Sequence, residues 1–521
     1  MAVRRKGLAA AKLPAVSADP DVVVIGAGPN GLAGACVLAR AGLSVLVVEA
    51  HPDRPGGALA SEQATEPGFI HDVGAAFFPF AQASPAFQDL ALTEHGLRWT
   101  FAPIESAHPA PDGSIAVIAR DLDVLEREFG SPEDGARMRS IAEWHRKIEP
   151  NLIPAMLRTF PAIRPALGLL PFAIFRLAAT FLHSGAGLSR SWFRSEAARR
   201  VIPSLALHTD VGPDDTLGAG IGYMLAAMAS SGGNGIPQGG AGAITAALVK
   251  LLESHGGRVR LGARVDSIVV RDKRACAVVL DGGEEIRVGK AILADTSAPA
   301  LLGRLVDEHH LPGRLVRKMN EFPIGWGTFK IDWALDGPVP WATERSREAA
   351  VVHAGDSLDD LSRFTAEVRG GNLPSNPYLV IGQQTLSDPS RAPAGKHTLW
   401  AYSRVPNRAP GGDWAAEKER FADVVEARIE ALAPGFRGLV RARRAVSPAD
   451  LERVNANLIG GDLGGGSNAW HRQLLFRPVF PWFRYRMPVR GLYLGSSFAH
   501  PGAGVHGMCG YNAAHMLLKD L

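Results

Sequence analysis

The residues best suited to bind a cofactor lie in the segment VVVIGAGPNGLAG near the start of the chain, where three glycines, Gly26, Gly28 and Gly31, have the spacing Gly-x-Gly-x-x-Gly. In a turn between a strand and a helix, the first glycine permits the tight turn, the second lets backbone approach a pyrophosphate, and the third lets the helix pack on the strand. The N-terminus of that helix offers free N–H groups and a positive dipole end to phosphates. The segment therefore predicts a dinucleotide site that includes the intervening Pro29 and Asn30.

The elements on either side of this turn are predicted to form a compact βαβ unit. Short β-branched runs predict strands over 21–25 and 44–48, and the apolar pattern predicts a helix over 32–41. Such a crossover is right-handed and joins parallel strands. Glu49 ends the second strand, 18 residues after the last of the three glycines. An acidic side chain there accepts hydrogen bonds from the ribose hydroxyls of adenosine, and Ala50 follows it.

Two further segments follow the βαβ unit: HPDRPGGALAS, which contains Gly56 and Gly57, and GFIHDVGAAFF, which contains Asp72 and Gly74. Here the sequence resembles the flavin-dependent amine oxidase and phytoene desaturase superfamily, in which a Gly-Gly loop lies near the flavin and a DxG segment follows it. The segment PQGGAGA (237–243) is similar to the proline-glycine element before the family's second helix. The resemblance, rather than the glycine spacing, indicates that the dinucleotide is FAD.

The last part of the chain extends the resemblance. GLYLGSSFAHPGAGVHGMCGYNAA (491–514) is similar to the family's C-terminal flavin motif, although Ser496 and Ser497 stand where many members have Gly-Asp. A serine hydroxyl also hydrogen-bonds a phosphate or ribityl oxygen. Val265, in GARVDSIVV, falls where the family uses a backbone group to meet adenine. The resemblance implies noncovalent FAD contacted by Gly26, Gly28, Pro29, Asn30, Gly31, Glu49, Ala50, Gly56, Gly57, Ala58, Gly74, Val265, Ser496, Ser497, Gly504 and Val505.

A further segment, NLIGGDLGGG (457–466), resembles the phytoene-dehydrogenase-like subgroup named for pyridine nucleotide-disulphide oxidoreductase domain protein 2. That name refers to disulphide chemistry. The three cysteines of this chain, Cys36, Cys276 and Cys509, are however far apart in sequence and form no CxxC pair. Dithiol chemistry and a zinc cluster therefore have no site. The sequence also lacks an HExxH motif and a recognisable Ser/His/Asp arrangement, so metal-based and hydrolytic activities have no support.

The predicted fold class is α/β, a Rossmann-like FAD-binding domain (GR2-type, discontinuous) with an inserted α+β substrate-binding domain. A length of 521 residues favours two domains. Apolar and β-branched runs predict further strands over 258–261, 264–271, 275–280, 285–288, 290–294 and 491–494, with a hairpin turn at 281–283 and a last helix from about Val505. Strand and helix patterns typical of nucleotide-binding folds thus occur in three separate pieces, which assigns 20–110, 235–310 and 455–521 to the FAD-binding domain. The substrate domain then comprises 111–234 and 311–454, and residues 1–19 form a flexible tail.

Charge and hydropathy limit the partners. The net charge is +4 without a long basic run, which predicts no nucleic-acid partner. The first twenty residues lack the apolar core of a signal peptide, and unpaired cysteines fit a reducing compartment, so a cytoplasmic location is predicted. The apolar segment 152–188 is interrupted by Arg158, Arg164, Arg176 and four prolines, which argues against a membrane-spanning helix. It is either an interfacial element, giving peripheral membrane association, or a buried, tunnel-lining region.

Candidate catalytic residues are few. Flavin N5 accepts hydride directly, so the protein has to position the flavin and the substrate. His500 and His506 lie in the C-terminal motif, as catalytic groups or as structural hydrogen-bonding residues. Lys330, in GTFKIDW, either corresponds to the lysine that some flavin amine oxidases hold near N5 or faces outward from its strand. Cys509 is interpreted as a small buried residue rather than as a covalent flavin attachment point.

Three functions are compatible with these observations. The first is an FAD-dependent oxidoreductase that desaturates, saturates or isomerises C–C bonds of an apolar lipid, polyene or isoprenoid. The second is a flavin amine oxidase, for which the sequence shows no pair of caging aromatic residues. The third is a carrier of prenyl lipids with the same fold and no turnover, similar to Rab-escort-type proteins. The intact set of Gly26, Gly28, Gly31 and Glu49 argues against the carrier, which has no need of a phosphate site.

Overall fold

The structure is a computed structural model that describes residues 19–521, so the predicted tail lies, apart from Asp19, outside the described residues. Its strands are β1 (Val22–Ile25), β2 (Val45–Val48), β3 (Ser61–Glu62), β4 (His71–Asp72), β5 (Trp99–Thr100), β6 (Ile104–Pro109), β7 (Ile115–Ile118), β8 (Ile236–Pro237), β9 (Arg258–Arg260), β10 (Val265–Arg271), β11 (Arg274–Leu280), β12 (Glu285–Arg287), β13 (Ala291–Ala294), β14 (Gly327–Leu335), β15 (Ala349–Ala354), β16 (Leu379–Gly382), β17 (His397–Val405), β18 (Val440–Val446) and β19 (Leu492–Leu494).

Helices connect and cover these strands, with short 3₁₀ and π turns between some of them. The helices are α1 (Pro29–Arg40), α2 (Pro79–Ala83), α3 (Pro85–Asp89), α4 (Leu122–Glu128), α5 (Pro132–Leu157), α6 (Ile163–Leu167), α7 (Phe172–Phe181), α8 (Gly185–Trp192), α9 (Glu196–Arg199), α10 (Val201–Ala206), α11 (Ala219–Ser231), α12 (Gly242–Ser254), α13 (Ala298–Ala300), α14 (Gly313–Asn320), α15 (Leu358–Arg369), α16 (Gln384–Ser387), α17 (Trp414–Leu432), α18 (Pro448–Val454) and α19 (Met508–Asp520).

The first sheet is a parallel five-stranded sheet with the order β19-β13-β1-β2-β9. Val22 on β1 lies opposite Val45 on β2 and Ala291 on β13. Strands β1 and β13 are buried along their whole length, as expected for parallel strands that read as continuous apolar runs. Helix α1 packs against α12 and α19. The sheet thus combines strands from the start, the middle and the end of the chain, which confirms the predicted discontinuous Rossmann-like fold.

The second sheet has seven strands in the order β18-β14-β17-β16-β15-β6-β7, all antiparallel neighbours except the parallel pair β15 and β6. On β14, alternate residues point to opposite faces of the sheet. Phe329, Ile331 and Trp333 belong to an apolar core shared with α17. The intervening Lys330 and Asp332 face the other way and are also buried. One face of this sheet is therefore a core, and the other carries polar groups into the interior.

The observed bounds test the element predictions. The strands at the start, middle and end of the chain appear within one or two residues of the predicted positions, and the turn Asp281-Gly282-Gly283 joins β11 to β12 as a hairpin. The predicted start of the last helix, near Val505, is wrong. Val505 and Gly507 have φ of +47° and +68°, which a right-handed helix excludes, so α19 begins at Met508.

The division into domains stays a prediction. Strand β6 precedes the proposed boundary at residue 110, yet it pairs within the seven-stranded sheet. The segment 152–188 comprises the end of α5 together with α6, α7 and part of α8. Throughout residues 19–521, no helix combines the length and the apolar character needed to cross a bilayer.

Candidate cofactor and substrate site

The turn after β1 leaves no room for side chains. Gly26 has φ of +96°, a conformation that favours glycine. A Cβ on Gly31 would lie 2.2 Å from the carbonyl oxygen of Gly26, and a Cβ on Gly28 would lie 2.5 Å from Oδ2 of Asp295. The three predicted glycines are therefore required by the close approach of backbone to backbone and to Asp295.

Hydrogen-bond donors at the start of α1 remain available. The N–H of Gly31 donates to Oδ2 of Asp295 at 2.8 Å, and that of Ala27 donates to Oε2 of Glu49 at 2.8 Å. Within residues 19–521, the backbone N–H groups of Gly28 and Asn30 have no acceptor, and Oδ1 of Asn30 is buried without a partner. Free N–H groups at a helix N-terminus are the donors that a pyrophosphate requires, so the residues present fit a dinucleotide.

Glu49 lies beside this turn. Its Oε1 accepts a hydrogen bond from the N–H of His51 at 2.8 Å, while its Oε2 holds Ala27. Each carboxylate oxygen keeps a lone pair for a ribose hydroxyl. The carbonyl of Glu49 accepts a hydrogen bond from the N–H of Ala263 at 2.8 Å, which brings the start of β10, with Val265, close to Glu49 and the exposed Ala50. The predicted ribose and adenine residues thus lie together.

Asp295 is absent from the residues predicted from the sequence. It follows β13 directly, and the carboxyl ends of β1 and β13 meet at the same edge of the parallel sheet. Burial raises the pKa of its carboxyl group to about 7, the hydrogen bond from Gly31 opposes that shift, and the charge of Glu49 adds to it. Asp295 could have been predicted from the sequence, because it is a charged residue directly after a buried strand. Ligands bind at that end of the strands in a parallel sheet.

The remaining predicted flavin segments converge on one cavity of about 1280 Å³. The N–H of Gly56 donates to the carbonyl of Ala27 at 2.8 Å, which places the Gly56-Gly57 loop on the phosphate turn. The cavity is lined by predicted residues from the first turn, the Gly56-Gly57 loop, the DxG segment and the C-terminal motif: Pro29, Ala58, Gly74, His500, Gly504, Val505 and His506. The structure thus brings together four separate segments of the sequence.

Ser496 and Ser497 lie at the carboxyl end of β19. The Ser496 hydroxyl is buried and accepts a hydrogen bond from the N–H of Phe498 at 3.3 Å. The Ser497 carbonyl accepts hydrogen bonds from Nε and Nη2 of Arg477, at 3.1 and 2.8 Å. Arg477 is buried and also donates to the carbonyl of Gly465 at 2.9 Å, so it joins the GGDLGGG loop to the C-terminal motif. Sequence reasoning missed this residue, because a lone arginine has no motif.

The two histidines of the C-terminal motif are buried. Nε2 of His500 lies 3.1 Å from the carbonyl oxygen of Arg158, and Nδ1 of His506 accepts a hydrogen bond from the N–H of Met508 at 3.1 Å. Burial lowers the pKa of each imidazole to about 4, so both are neutral at pH 7. His500 therefore has a structural partner, while Nε2 of His506 is buried without one among residues 19–521. A catalytic role for either stays a prediction.

Lys330 is buried rather than outward-facing. Its Nζ donates to Asp332, and Nδ1 of His71 lies 3.6 Å from the other oxygen of that carboxylate. Burial raises the pKa of Asp332, and the charge of Lys330 opposes that shift. Lys330 also lines a small cavity with the predicted flavin residues Ala58 and Gly74. The structure thus brings Lys330 next to two of the predicted flavin loops, and its catalytic role stays a prediction.

A buried ion pair joins the two-stranded sheet of β3 and β4 to the segment between β16 and β17. Asp72 precedes Gly74 in the DxG segment, and its Oδ2 accepts a hydrogen bond at 2.6 Å from Nη2 of Arg391, which lies between β16 and β17. Both side chains are fully buried. The other oxygen of Asp72 accepts hydrogen bonds from the N–H of Ala241 at 2.8 Å and from the hydroxyl of Ser61 at 2.7 Å. Asp72 therefore acts as a junction between the cofactor segments and the second sheet.

The face of the seven-stranded sheet that carries Lys330 and Asp332 also forms one wall of the large cavity, which we call the far wall. Trp400, Tyr402 and Arg404 alternate along β17 and all line it. The rings of Trp400 and Tyr402 are in T-shaped contact, with centroids 5.1 Å apart. His208 and His353 are further along the wall, with their Nε2 atoms 2.9 Å apart. This polar and aromatic wall was not predicted from the sequence.

Exposed apolar side chains adjoin the same cavity. Phe172 and Phe175 on α7 are 85% and 71% exposed. We call the following group the apolar rim: Ile163, Leu167, Leu170, Phe172, Phe175, Leu182, Trp470, Leu474 and Phe476. Leu182, Trp470 and Leu474 of this group also line the cavity. The segment 152–188 is thus both cavity-lining and exposed.

Residues 30–410 match the family of flavin containing amine oxidoreductases. The chain belongs to this family. Its members contain a flavin and catalyse oxidation and reduction, so the chain is a flavin-dependent oxidoreductase, and the resemblance to the superfamily and the subgroup described above is confirmed. Within the family, the chain is similar to pyridine nucleotide-disulfide oxidoreductase domain-containing protein 2 of Mus musculus, with 30% identity covering 96% of this chain and 94% of the mouse protein.

Two further similarities extend the family result. A limonene dehydrogenase subunit of Castellaniella defragrans is 24% identical, covering 96% of this chain and 95% of that protein. The crystal structure of an oxidoreductase from Methanosarcina mazei superimposes with a TM-score of 0.63 at 17% identity, covering 96% of this chain and 99% of that one. At that identity the structural similarity shows the fold alone, and it agrees with the fold class predicted from the sequence.

Proposed function

We propose that this family member binds FAD noncovalently and desaturates, saturates or isomerises C–C bonds of an apolar lipid, polyene or isoprenoid. In the redox reactions, hydride passes between flavin N5 and one carbon of the bond, while the neighbouring carbon loses or gains a proton. The observation that carries the proposal is the large cavity, which joins the predicted flavin loops at Ala58, Gly74 and Gly504 to the apolar rim. Bound FAD would supply an acceptor or donor of hydride at N5. The similarity to a limonene dehydrogenase, whose name states dehydrogenation of a hydrocarbon, supports the same reaction class.

The chain's own residues would bind the cofactor and keep water out. The N–H groups of Gly28 and Asn30 would hold the pyrophosphate, and Glu49 the ribose. The lining of the cavity as a whole is mostly apolar and would exclude water, which protects a reduced flavin from side reactions. The thiol of Cys509 is buried, and burial raises its pKa to about 12. A thiol held neutral in this way is a poor nucleophile, which supports noncovalent attachment.

The test begins with the visible absorbance spectrum of the purified protein before and after denaturation and filtration. We expect a flavin spectrum that passes into the filtrate. The flavoprotein is then mixed anaerobically with limonene or phytoene, and flavin reduction is followed by loss of absorbance. Absorbance that stays with the denatured chain would overturn noncovalent binding. A colourless protein that takes up no added FAD would overturn the whole proposal and favour the carrier.

Amine oxidation is the second candidate, since the family contains amine oxidoreductases. The buried aromatic residues Trp400 and Tyr402, beside Lys330, are the observation in its favour. Their T-shaped contact leaves no slot between two parallel rings to hold a neutral amine, so we rank this function second. Rapid anaerobic reduction of the flavin by simple primary amines, with no reduction by limonene or phytoene, would reverse the ranking.

We further propose that the apolar rim rests on a membrane surface, from which an apolar substrate enters the cavity. Six of the exposed apolar residues of the rim lie within the short segment 163–182, and three residues of the rim line the cavity itself. Concentrations of exposed apolar side chains mark interaction surfaces. Arg164 and Arg176 lie in the same segment, where basic side chains reach lipid headgroups.

Cosedimentation with phosphatidylcholine vesicles, with and without phosphatidylglycerol, tests this membrane contact. We expect the double variant Phe172→Ser/Phe175→Ser to bind at least about tenfold more weakly than the natural protein, because each phenylalanine contributes roughly 1.5–3 kcal/mol when buried. Val454→Ser is the matched control, since Val454 is an exposed aliphatic residue at the end of α18 and does not belong to the apolar rim. Equal binding of the double variant and the control would overturn the proposal.

A further inference from the structure

Arg404 is a buried cation without an anionic partner in the described part of the chain. It lies on β17, is 5% exposed and lines the large cavity. Its Nη1 donates to the hydroxyl of Thr328 at 2.7 Å, and its Nη2 donates to the carbonyl of His208. Both acceptors are neutral. Among residues 19–521, no carboxylate lies within 4.0 Å of the guanidinium, the distance that defines an ion pair.

The carboxylates that line the same cavity are bound to other donors. Asp210 accepts hydrogen bonds from the hydroxyl of Ser467 at 2.6 Å and the N–H of Asn468 at 2.7 Å. Asp215 forms an ion pair with Arg369. Asp462 accepts three backbone N–H groups, including that of Gly466 at 2.7 Å. None of these carboxylates neutralises Arg404.

The guanidinium also has unused hydrogen-bonding capacity. An arginine carries five N–H donors in a planar fork, and the structure provides acceptors for two of them. Nε is buried and has no partner between residues 19 and 521. Burying an unpaired charge is unfavourable, because the charge loses its hydration and gains no opposite charge in return. A carboxylate is the ligand that offsets this cost best, because its two oxygens match the fork in charge and spacing.

We propose that Arg404 binds an anionic group of the substrate, so that the substrate is an organic acid with an apolar body. This inference rests on the proposed function, since it names the substrate class of the same cavity. Arg404 is two residues from Tyr402 along β17, a separation of about 7 Å. Tyr402 in turn lines the small cavity beside Ala58 and Gly74. The anionic group therefore binds near the predicted flavin loops, and the apolar body extends toward the apolar rim.

Three ligands of equal chain length and different head charge test the proposal: decanoate, 1-decanol and decyltrimethylammonium. Each is titrated into the flavin-loaded protein below its aggregation limit, and binding is followed by calorimetry and by the shift of the flavin absorbance. We expect decanoate to bind at least about tenfold more tightly than 1-decanol, and decyltrimethylammonium to bind most weakly. This measurement needs no variant, so it stands even where a substitution at Arg404 prevents folding.

Two substitutions then locate the effect. We expect Arg404→Gln to lower decanoate affinity at least about tenfold and to change 1-decanol affinity less than about twofold. Arg444→Gln is the control, because Arg444 is a half-exposed arginine on β18 of the same sheet that is already paired with Glu62. We expect it to leave both affinities unchanged.

The results separate this proposal from the proposed function. Equal affinity for decanoate and 1-decanol in the natural protein, or an Arg404→Gln variant that keeps the preference for decanoate, would overturn the role of Arg404. Selective decanoate binding that depends on Arg404 supports that role even where no C–C oxidation is found. Failure of flavin reduction by every apolar compound counts against the reaction class alone.

Discussion

The phosphate turn and the far wall of the cavity are built in different ways. In the turn, backbone N–H groups are the proposed contacts to the pyrophosphate. Gly28 and Gly31 are required there, because a Cβ on either would clash with Asp295 or with the carbonyl oxygen of Gly26. In the wall, side chains such as Tyr402 and Arg404 face the cavity and are the proposed contacts to the substrate. The backbone there is an ordinary antiparallel sheet. The proposed cofactor contacts thus depend on backbone positions where only glycine fits, whereas the proposed substrate contacts depend on the side chains of the wall.

The largest effect is expected in the turn. Gly31→Ala introduces a Cβ 2.2 Å from the carbonyl oxygen of Gly26, and neither backbone segment has room to move without separating α1 from β1. We expect purified Gly31→Ala protein to retain less than about a tenth of the flavin of the natural protein, because a misplaced helix N-terminus no longer meets the pyrophosphate. The flavin-to-protein absorbance ratio measures this loss.

Gly438→Ala is the matched control for this substitution. A Cβ on Gly438 would meet no atom within 4 Å, so we expect full flavin content. A Gly31→Ala protein with the natural flavin content would contradict the predicted steric clash. It would show that the turn accepts a side chain without loss of flavin binding.

The next effect is expected where the two regions meet. Asp72→Ala leaves Arg391 buried and unpaired, and breaking a buried ion pair from one side costs about 3–5 kcal/mol. We expect the free energy of unfolding in urea to fall by that amount. Asp89→Ala is the comparison, because Asp89 and Arg40 form a half-exposed pair at the surface. That change is expected to cost less than about 1 kcal/mol. Equal losses would contradict the junction between the sheets.

A smaller, pH-dependent effect is expected at Asp295. Burial raises the pKa of this carboxyl to about 7 in the folded protein, whereas an unfolded chain has the ordinary value near 3.8. As pH rises from about 4 to 7, the unfolded state loses its proton first and is stabilised, so the free energy of unfolding falls; above pH 7 the penalty is constant.

Asp295→Asn removes this penalty and keeps an oxygen to accept the N–H of Gly31. In flavin-free protein, we expect the variant to gain roughly 3–4 kcal/mol relative to the natural chain between pH 4 and pH 8. Urea unfolding at both pH values measures the difference. A difference that is the same at both would show that Asp295 titrates normally.

The smallest effect is expected in the wall. Val380 on β16 lines the cavity, so Val380→Ala enlarges an existing space instead of creating one in a packed core. We expect a loss of about 1 kcal/mol or less in the free energy of unfolding and an unchanged flavin content. Loss of flavin in this variant would contradict our expectation that substitutions in the wall leave flavin binding at the turn unchanged.

The same contrast explains which features were predictable from the sequence. Gly26, Gly28, Gly31 and Glu49 are close in sequence and have fixed spacing, so the turn and its strands were visible without a structure. Arg404 lies 376 residues after Gly28 and is one arginine among many. Its role depends on the pairing of β17 with its neighbours and on the absence of a nearby carboxylate among residues 19–521, and neither property is local.

The start of the last helix shows a second limit of the sequence. The run from Gly504 to Met508 follows a Pro/Gly turn, which favours a helix start, but the backbone at Val505 and Gly507 has positive φ. Non-glycine residues adopt that conformation only when the surrounding structure imposes it. Here the cavity lies on one side and the body of α1 on the other, so tertiary packing decides where α19 begins.

The parallel sheet has a consequence for synthesis of the chain. Its edge strand β19 and the helix α19 that packs on α1 come last, and Gly510 of α19 lies so close to Asn30 that a Cβ would be 1.8 Å from the Asn30 carbonyl oxygen. The phosphate turn is translated before α19, so it lacks one of its supporting neighbours until that helix has been made. We therefore expect stable flavin binding only once α19 has been made and has packed on α1.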